Sequence, residues 1–124
     1  MHHSTRRGFD QAFVHEKSRG GRGPALLCVH GWPESKRIFW KVIEPFARAG
    51  FDVIVPDLRG FGDSGPAPDG FYDTVSHARD MHSLVRDHLG YESAVLLGGD
   101  LGGPVIQEMA LRWPEFVERM VLFN

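Results

Sequence analysis

Asp100 is the residue best placed in this chain for covalent chemistry. It lies in Gly98-Gly99-Asp100-Leu101-Gly102-Gly103, after the apolar run Ser93-Ala94-Val95-Leu96-Leu97 and before a helical pattern that begins at Pro104. A strand enters, a helix leaves, and one acid occupies the bend, which is the layout of a nucleophile elbow. Such a turn is strained, and side chains at Gly98, Gly102 or Gly103 are expected to collide with the packed strand and helix. The new helix points its N-terminal amides at the acid and favours its ionised form. A carboxylate that attacks an acyl carbon makes a reactive anhydride. One that attacks a saturated carbon makes an alkyl ester, which water can then hydrolyse. The competing reading is a simple helix cap. A cap alone needs neither glycines on both sides nor a buried strand before it.

Two other stretches stand at strand ends. His30-Gly31-Trp32-Pro33-Glu34-Ser35 stops the run Ala25-Leu26-Leu27-Cys28-Val29. His30 reads as a structural histidine that holds a turn by hydrogen bonds, and Glu34 as a turn or pocket-rim residue. Pro56-Asp57-Leu58-Arg59-Gly60-Phe61-Gly62-Asp63-Ser64 closes the run Phe51-Asp52-Val53-Ile54-Val55. Its glycines permit a sharp loop, and Asp57 and Arg59 are candidates for an ion pair that fixes it.

The elements that must position these stretches are legible from their periodicity. Runs that are apolar without alternation suit strands buried on both faces of a parallel sheet. Helical spacing covers residues 38–49, where Pro45 predicts a kink or a late start. A second helix over 74–89 is capped by Asp73 or Thr74, and a third runs from 104 to about 112. His77, His82 and His88 on the second helix are expected at the surface or at an interface, away from the strand ends where ligands bind. Phe39, Trp40, Phe46 and Trp113 read as core. Ala12-Phe13-Val14-His15 is a candidate edge strand, and residues 119–123 form a last strand. The alternation predicts an α/β fold with a mostly parallel sheet and helices on both faces.

Composition narrows the function classes. A chain of 124 residues is one domain at most. A net charge of −2 gives no electrostatic case for nucleic acid, and Lys17, Arg19 and Arg22 read as a solvated loop. The single Cys28 reads as a reduced core residue, with no thiol metal site and no disulfide framework. No apolar stretch reaches the ~18 residues of a membrane span, and the polar start lacks the apolar region of a signal peptide; a cytoplasmic protein is expected. Residues 1–8 are expected to be disordered, with a domain over 9–124. A dinucleotide-binding reading fails because 98–103 is not G-x-G-x-x-G and its acid would repel a pyrophosphate.

The three motifs, in this order, resemble the α/β-hydrolase family, and within it the branch with an Asp nucleophile: epoxide hydrolases, with haloalkane and fluoroacetate dehalogenases as relatives. The resemblance covers roughly residues 9–124. It implies that Asp100 is the nucleophile and that the backbone N–H groups of Trp32 and Leu101 form the oxyanion hole. It implies a cis Trp32–Pro33 bond, a small-molecule substrate (epoxide or alkyl halide), and no cofactor or metal. His30, Gly31, Pro33, Gly98, Gly102 and Gly103 then support the motifs.

The sequence departs from that pattern in two places. Leu101 stands where these relatives commonly carry Trp, whose indole N–H binds a departing halide, or Arg. Leu donates nothing there, which favours epoxides over halides. The family also continues past the last strand with a cap, further strands, an acid and a histidine, and no histidine follows Asp100 here. The chain therefore reads as the N-terminal part of an α/β-hydrolase fold, truncated before the cap. Its last strand is expected to be an apolar edge that a protein partner would cover at Val121, Leu122 and Phe123. A non-catalytic interaction module on the same scaffold is the rival from another class.

Overall fold

The computed structural model describes residues 1–123. Six strands form one sheet in the order β1-β2-β4-β3-β5-β6. They are β1 (His2–Ser4), β2 (Gln11–Glu16), β3 (Ala25–Val29), β4 (Asp52–Pro56), β5 (Ala94–Gly99) and β6 (Val117–Phe123). β1 pairs antiparallel with β2, and β2 antiparallel with β4. β4, β3, β5 and β6 are mutually parallel.

The unalternating apolar runs have the expected cause. Ala25, Leu27 and Val29 of β3 belong to one core cluster, and Leu26 and Cys28 to the other. The first cluster lies under α2 (Thr74–His82) and α3 (Gly102–Arg112), which supply Ala78, Met81, Val105, Ile106 and Met109. The second lies under α1 (Trp40–Arg48), which supplies Ala47 with Val42, Ile43 and Phe46. Helices thus cover both faces of the sheet. Cys28 is fully buried, and burial pushes its thiol up to about 12.

Several expectations are corrected here. Residues 1–8 are not featureless: His2–Ser4 pair with Gln11–Phe13, and the Ser4 side chain is buried. That small strand makes β2 an inner strand, where an edge was expected. The helix expected over 38–49 is a 3₁₀ turn (Lys36–Phe39) followed by α1, with Pro45 inside it. The second helix divides too, α2 running on into a π-helical segment, Ser83–His88. α3 begins two residues before Pro104, which sits in its first turn, where an absent N–H costs nothing. Trp40 is 63% exposed and not core, whereas Phe39 is buried.

Candidate active site

The parallel strands deliver the three motifs to one end of the sheet. Asp100 follows β5 directly and has φ of 51°, the one positive value at a non-glycine among the described residues. Its Oδ1 accepts hydrogen bonds from the N–H of Trp32 at 2.9 Å and the N–H of Leu101 at 2.7 Å. These two donors hold the carboxyl below the ordinary aspartate value. No hydrogen bond to Oδ2 occurs among the described residues, so one oxygen is clamped and the other is free. Asp100 itself is exposed. The Trp32–Pro33 bond is cis, as expected, and the Trp32 ring is open to solvent.

The turn that carries Trp32 is held from below by His30. Leu58 N–H donates to His30 Nε2 at 3.0 Å, so Nε2 is the acceptor and Nδ1 carries the proton to Gly31 O at 2.8 Å. One tautomer satisfies both bonds and ties the loop after β3 to the loop after β4. Burial keeps His30 below its ordinary value, with the hydrogen bond to Gly31 O opposing, so the ring is neutral at pH 7. Glu34 Oε1 accepts from Gly31 N–H at 2.8 Å and closes the same turn. Gly31 has no alternative: a Cβ there would come 2.7 Å from Asp100 Oδ1.

The glycines of the elbow are not equivalent. A Cβ on Gly98 would meet Gly102 O at 2.7 Å, and one on Gly102 would meet the backbone of Val29 and His30. Gly103 does not collide as expected, since its nearest neighbour would be Leu122 Cδ2 at an ordinary 3.7 Å. Gly99, which sequence reasoning passed over, is the tighter position, because Phe123 O would lie at 2.6 Å. Pairing of Gly99 with Phe123 across β5 and β6 explains it, and only the register could have shown it.

The loop beneath the site is fixed by ion pairs centred on Arg59 and on Lys36, none of them Asp57–Arg59. Arg59 is fully buried and forks onto Asp80 of α2, with Nε to Oδ2 at 2.6 Å and Nη2 to Oδ1 at 2.9 Å. Its Nη1 reaches Asp69 Oδ1 at 2.9 Å. Asp57 instead takes Lys36, whose backbone N–H donates to Oδ1 at 2.8 Å and whose Nζ also reaches Asp63 Oδ2 at 2.6 Å. A planar fork needs two oxygens presented side by side, which Asp80 supplies from another element. Sequence reading passed over Lys36, a buried lysine with no nearby signal except the acids it meets in space.

The three helix histidines separate. His88 is exposed. His82 stacks on Trp113 with centroids 3.9 Å apart and planes 4° apart, between α2 and α3. His77 is fully buried, contrary to expectation, and neither ring nitrogen has a hydrogen-bond partner among the described residues. Helix periodicity puts it beside the Arg59–Asp80 pair, facing the loop and not the solvent.

The alpha/beta hydrolase fold family matches residues 24–124, and the chain belongs to it. It is 39% identical over 104 residues to a soluble epoxide hydrolase of Corynebacterium sp. (strain C12), covering 84% of this chain and 35% of that protein. It is 36% identical over 105 residues to bifunctional epoxide hydrolase 2 of Sus scrofa, covering 84% of this chain and 19% of that protein. A fluoroacetate dehalogenase of Burkholderia sp. is 39% identical over 109 residues, covering 85% of this chain and 35% of the dehalogenase. The solved structure of the epoxide hydrolase CorEH without ligand superposes with a TM-score of 0.88 at 35% identity, over 98% of this chain and 40% of that one. The chain thus spans well under half the length of these relatives. No helix among the described residues is long and apolar enough to cross a membrane. No cluster of metal-ligating side chains occurs among them.

Proposed function

We propose that this chain carries the nucleophile and oxyanion hole of an epoxide hydrolase. The observation that carries the reading is the clamped carboxylate: Oδ1 of Asp100 on two backbone N–H groups, Oδ2 free, on an exposed left-handed turn. A lone pair on Oδ2 attacks an epoxide carbon, the ring C–O bond breaks, and the ring oxygen takes a proton. The product is an alkyl ester of Asp100. Water then attacks Cγ, and negative charge gathers on Oδ1, where the Trp32 and Leu101 N–H groups already point. One such donor is typically worth about 10²–10³ in rate. Collapse returns the carboxylate and releases a diol. The proton donor for the ring oxygen and the base for the water are assigned to groups outside this chain's span. Cys28, single and buried, agrees with a cytoplasmic setting.

The fluoroacetate dehalogenase relative supports a second reading with the same nucleophile and a halide as leaving group. The aliphatic side chain of Leu101, half-buried beside the elbow, offers that halide no donor. Beyond the site, we infer that β6 takes a further strand along its outer edge, from a partner or from the remainder of a longer protein. Val121, Leu122 and Phe123 are 49%, 50% and 44% exposed there.

Protein containing this chain is incubated with styrene oxide or 1-bromobutane and digested. The expected result is a reagent-mass adduct on the peptide bearing Asp100, faster with the epoxide and absent in Asp100→Ala. Turnover that survives Asp100→Ala overturns the mechanism.

A further inference from the structure

A second concave site lies at the opposite end of the sheet. Asp100 follows β5 and Tyr91 precedes it, so about 20 Å of strand separates the two. The cavity there has a volume of about 460 Å³. Its lining includes His2, His3, His15, Lys17, Arg22 and His88, and no carboxylate. These come from β1, β2, the turn after β2 and the π-helical segment, so the fold gathers them, not the sequence. Phe13, Leu89 and Tyr91 supply the apolar wall.

Two nearby acids, Asp10 and Asp52, are already engaged. Asp10 takes His3 Nδ1 at 2.8 Å. Asp52 lies behind Tyr91: its Oδ2 accepts the Tyr91 hydroxyl at 2.7 Å, and its Oδ1 accepts the N–H groups of Ser18 and Gly23 at 2.9 and 3.2 Å. Since Tyr91 donates to Asp52, its oxygen accepts from His15 Nε2 at 2.9 Å. Protonation of His15 then falls on Nδ1. Lys17 and Arg22 form no ion pair among the described residues. Arg22 stacks its guanidinium 4.2 Å over the Tyr91 ring and donates to Gly90 O at 3.3 Å. A larger cavity beside Trp113 lacks this pattern, because its arginines meet acids, Arg86 with Glu92 at 3.5 Å and Arg112 with Glu108 at 2.8 Å.

We propose that this cavity is a binding site for a small aromatic anion, a carboxylate or phosphate monoester on a ring. The negative group meets Lys17, Arg22 and His15, and the ring lies against Phe13, Leu89 and Tyr91. The volume falls within the range of small-molecule sites, and the cations would otherwise repel one another in a chain of net charge −2. Burial holds His15 below its ordinary value, Asp52 opposes, and Lys17, His2 and Arg22 push it lower still. An anion reverses those last contributions, so it favours protonated His15. Binding therefore tightens as pH falls through the histidine range.

The test is titration of protein containing this chain with sodium benzoate, followed by calorimetry and by the histidine ring signals in NMR, with benzyl alcohol as the neutral isostere. Benzoate should bind, move the His15 and His88 signals and leave the Asp100 and Leu101 amides in place, while benzyl alcohol moves none. Affinity should rise at least about threefold from about pH 8 to about pH 6. Lys17→Gln with Arg22→Gln should weaken binding about tenfold or more. Should the double variant lose its native amide spectrum, Lys17→Gln alone, at an exposed residue without an ion pair, is expected to weaken binding severalfold. Equal binding of benzyl alcohol, unchanged affinity in the folded variant, or no binding up to about 20 mM benzoate overturns the proposal.

Discussion

At the scale of the residue, Asp100 combines an uncommon backbone with an ordinary chemical group. Its φ of 51° costs on the order of 1 kcal/mol. Asp and Asn tolerate that region better than other side chains. Asp100→Asn keeps both the turn and an oxygen for the two N–H donors, so it should leave the unfolding midpoint nearly unchanged while abolishing alkylation. Thermal melts beside the mass-spectrometric assay check this. Because both donors bind the ionised form, the carboxyl titrates below the ordinary value of about 3.9. The attacking form is the carboxylate, so the alkylation rate should stay flat from neutral pH down past about 4 and fall only below it. A rate profile that breaks at or above the ordinary aspartate value would contradict the clamped geometry. Gly31→Ala should cut alkylation by about 10² or more, since the new methyl group meets Asp100 Oδ1 in the space the N–H donors define.

At the scale of the element, the site depends on how two loops are fastened to α2 and to each other. Arg59 and Asp80 are both fully buried. Asp80→Ala leaves the guanidinium short of a partner and should destabilise by about 3–5 kcal/mol, read from urea unfolding. His77 presents the opposite case. Its unpaired ring nitrogens sit in the interior beside Phe61, and burial keeps it below its ordinary value while Asp80 opposes. His77→Leu removes two unsatisfied polar atoms and should stabilise by about 1 kcal/mol. The pH dependence follows with a definite sign. His30 and His77 bind protons less readily folded than unfolded, so stability is full above about pH 6.5 and declines as pH falls below it. His77→Leu should flatten that decline between about pH 7 and pH 5. A decline as steep as in the parent would place its source in other groups.

At the scale of the whole molecule, the sheet has two unlike edges. β1 is three residues long and polar, which suits an edge. β6 is seven residues long, with Met120, Val121, Leu122 and Phe123 all more than a third exposed. A long apolar edge with unpaired backbone groups invites pairing with another strand. The 124-residue chain by itself should therefore self-associate as concentration rises, and Leu122→Lys should suppress this, as measured by sedimentation velocity. A monodisperse, cooperatively unfolding monomer would argue that β6 needs no cover.

The sequence alone determined five of the six strands, the order of the three motifs and the candidate nucleophile. Each of these is a local property: an unbroken apolar run, a glycine where the chain turns, an acid between a strand and a helix. The cis Trp32–Pro33 bond is implied only by the family resemblance, whereas the turn-holding role of His30 is read from its place at a strand end. What the tertiary structure decided was pairing. Asp57 meets Lys36 and Arg59 meets Asp80, because ion pairs form between atoms close in space, and 21 residues separate each pair in the chain. His77 faced inward because the loop of Arg59 lies over α2. β2 became an inner strand because three polar residues at the start of the chain add β1 outside it. Of the two N–H groups on Asp100 Oδ1, one comes from Trp32, 68 residues away in the chain, and the other from its immediate neighbour Leu101. A sequence names such partners; only the register of β3 beside β5 brings them within 3 Å of one oxygen.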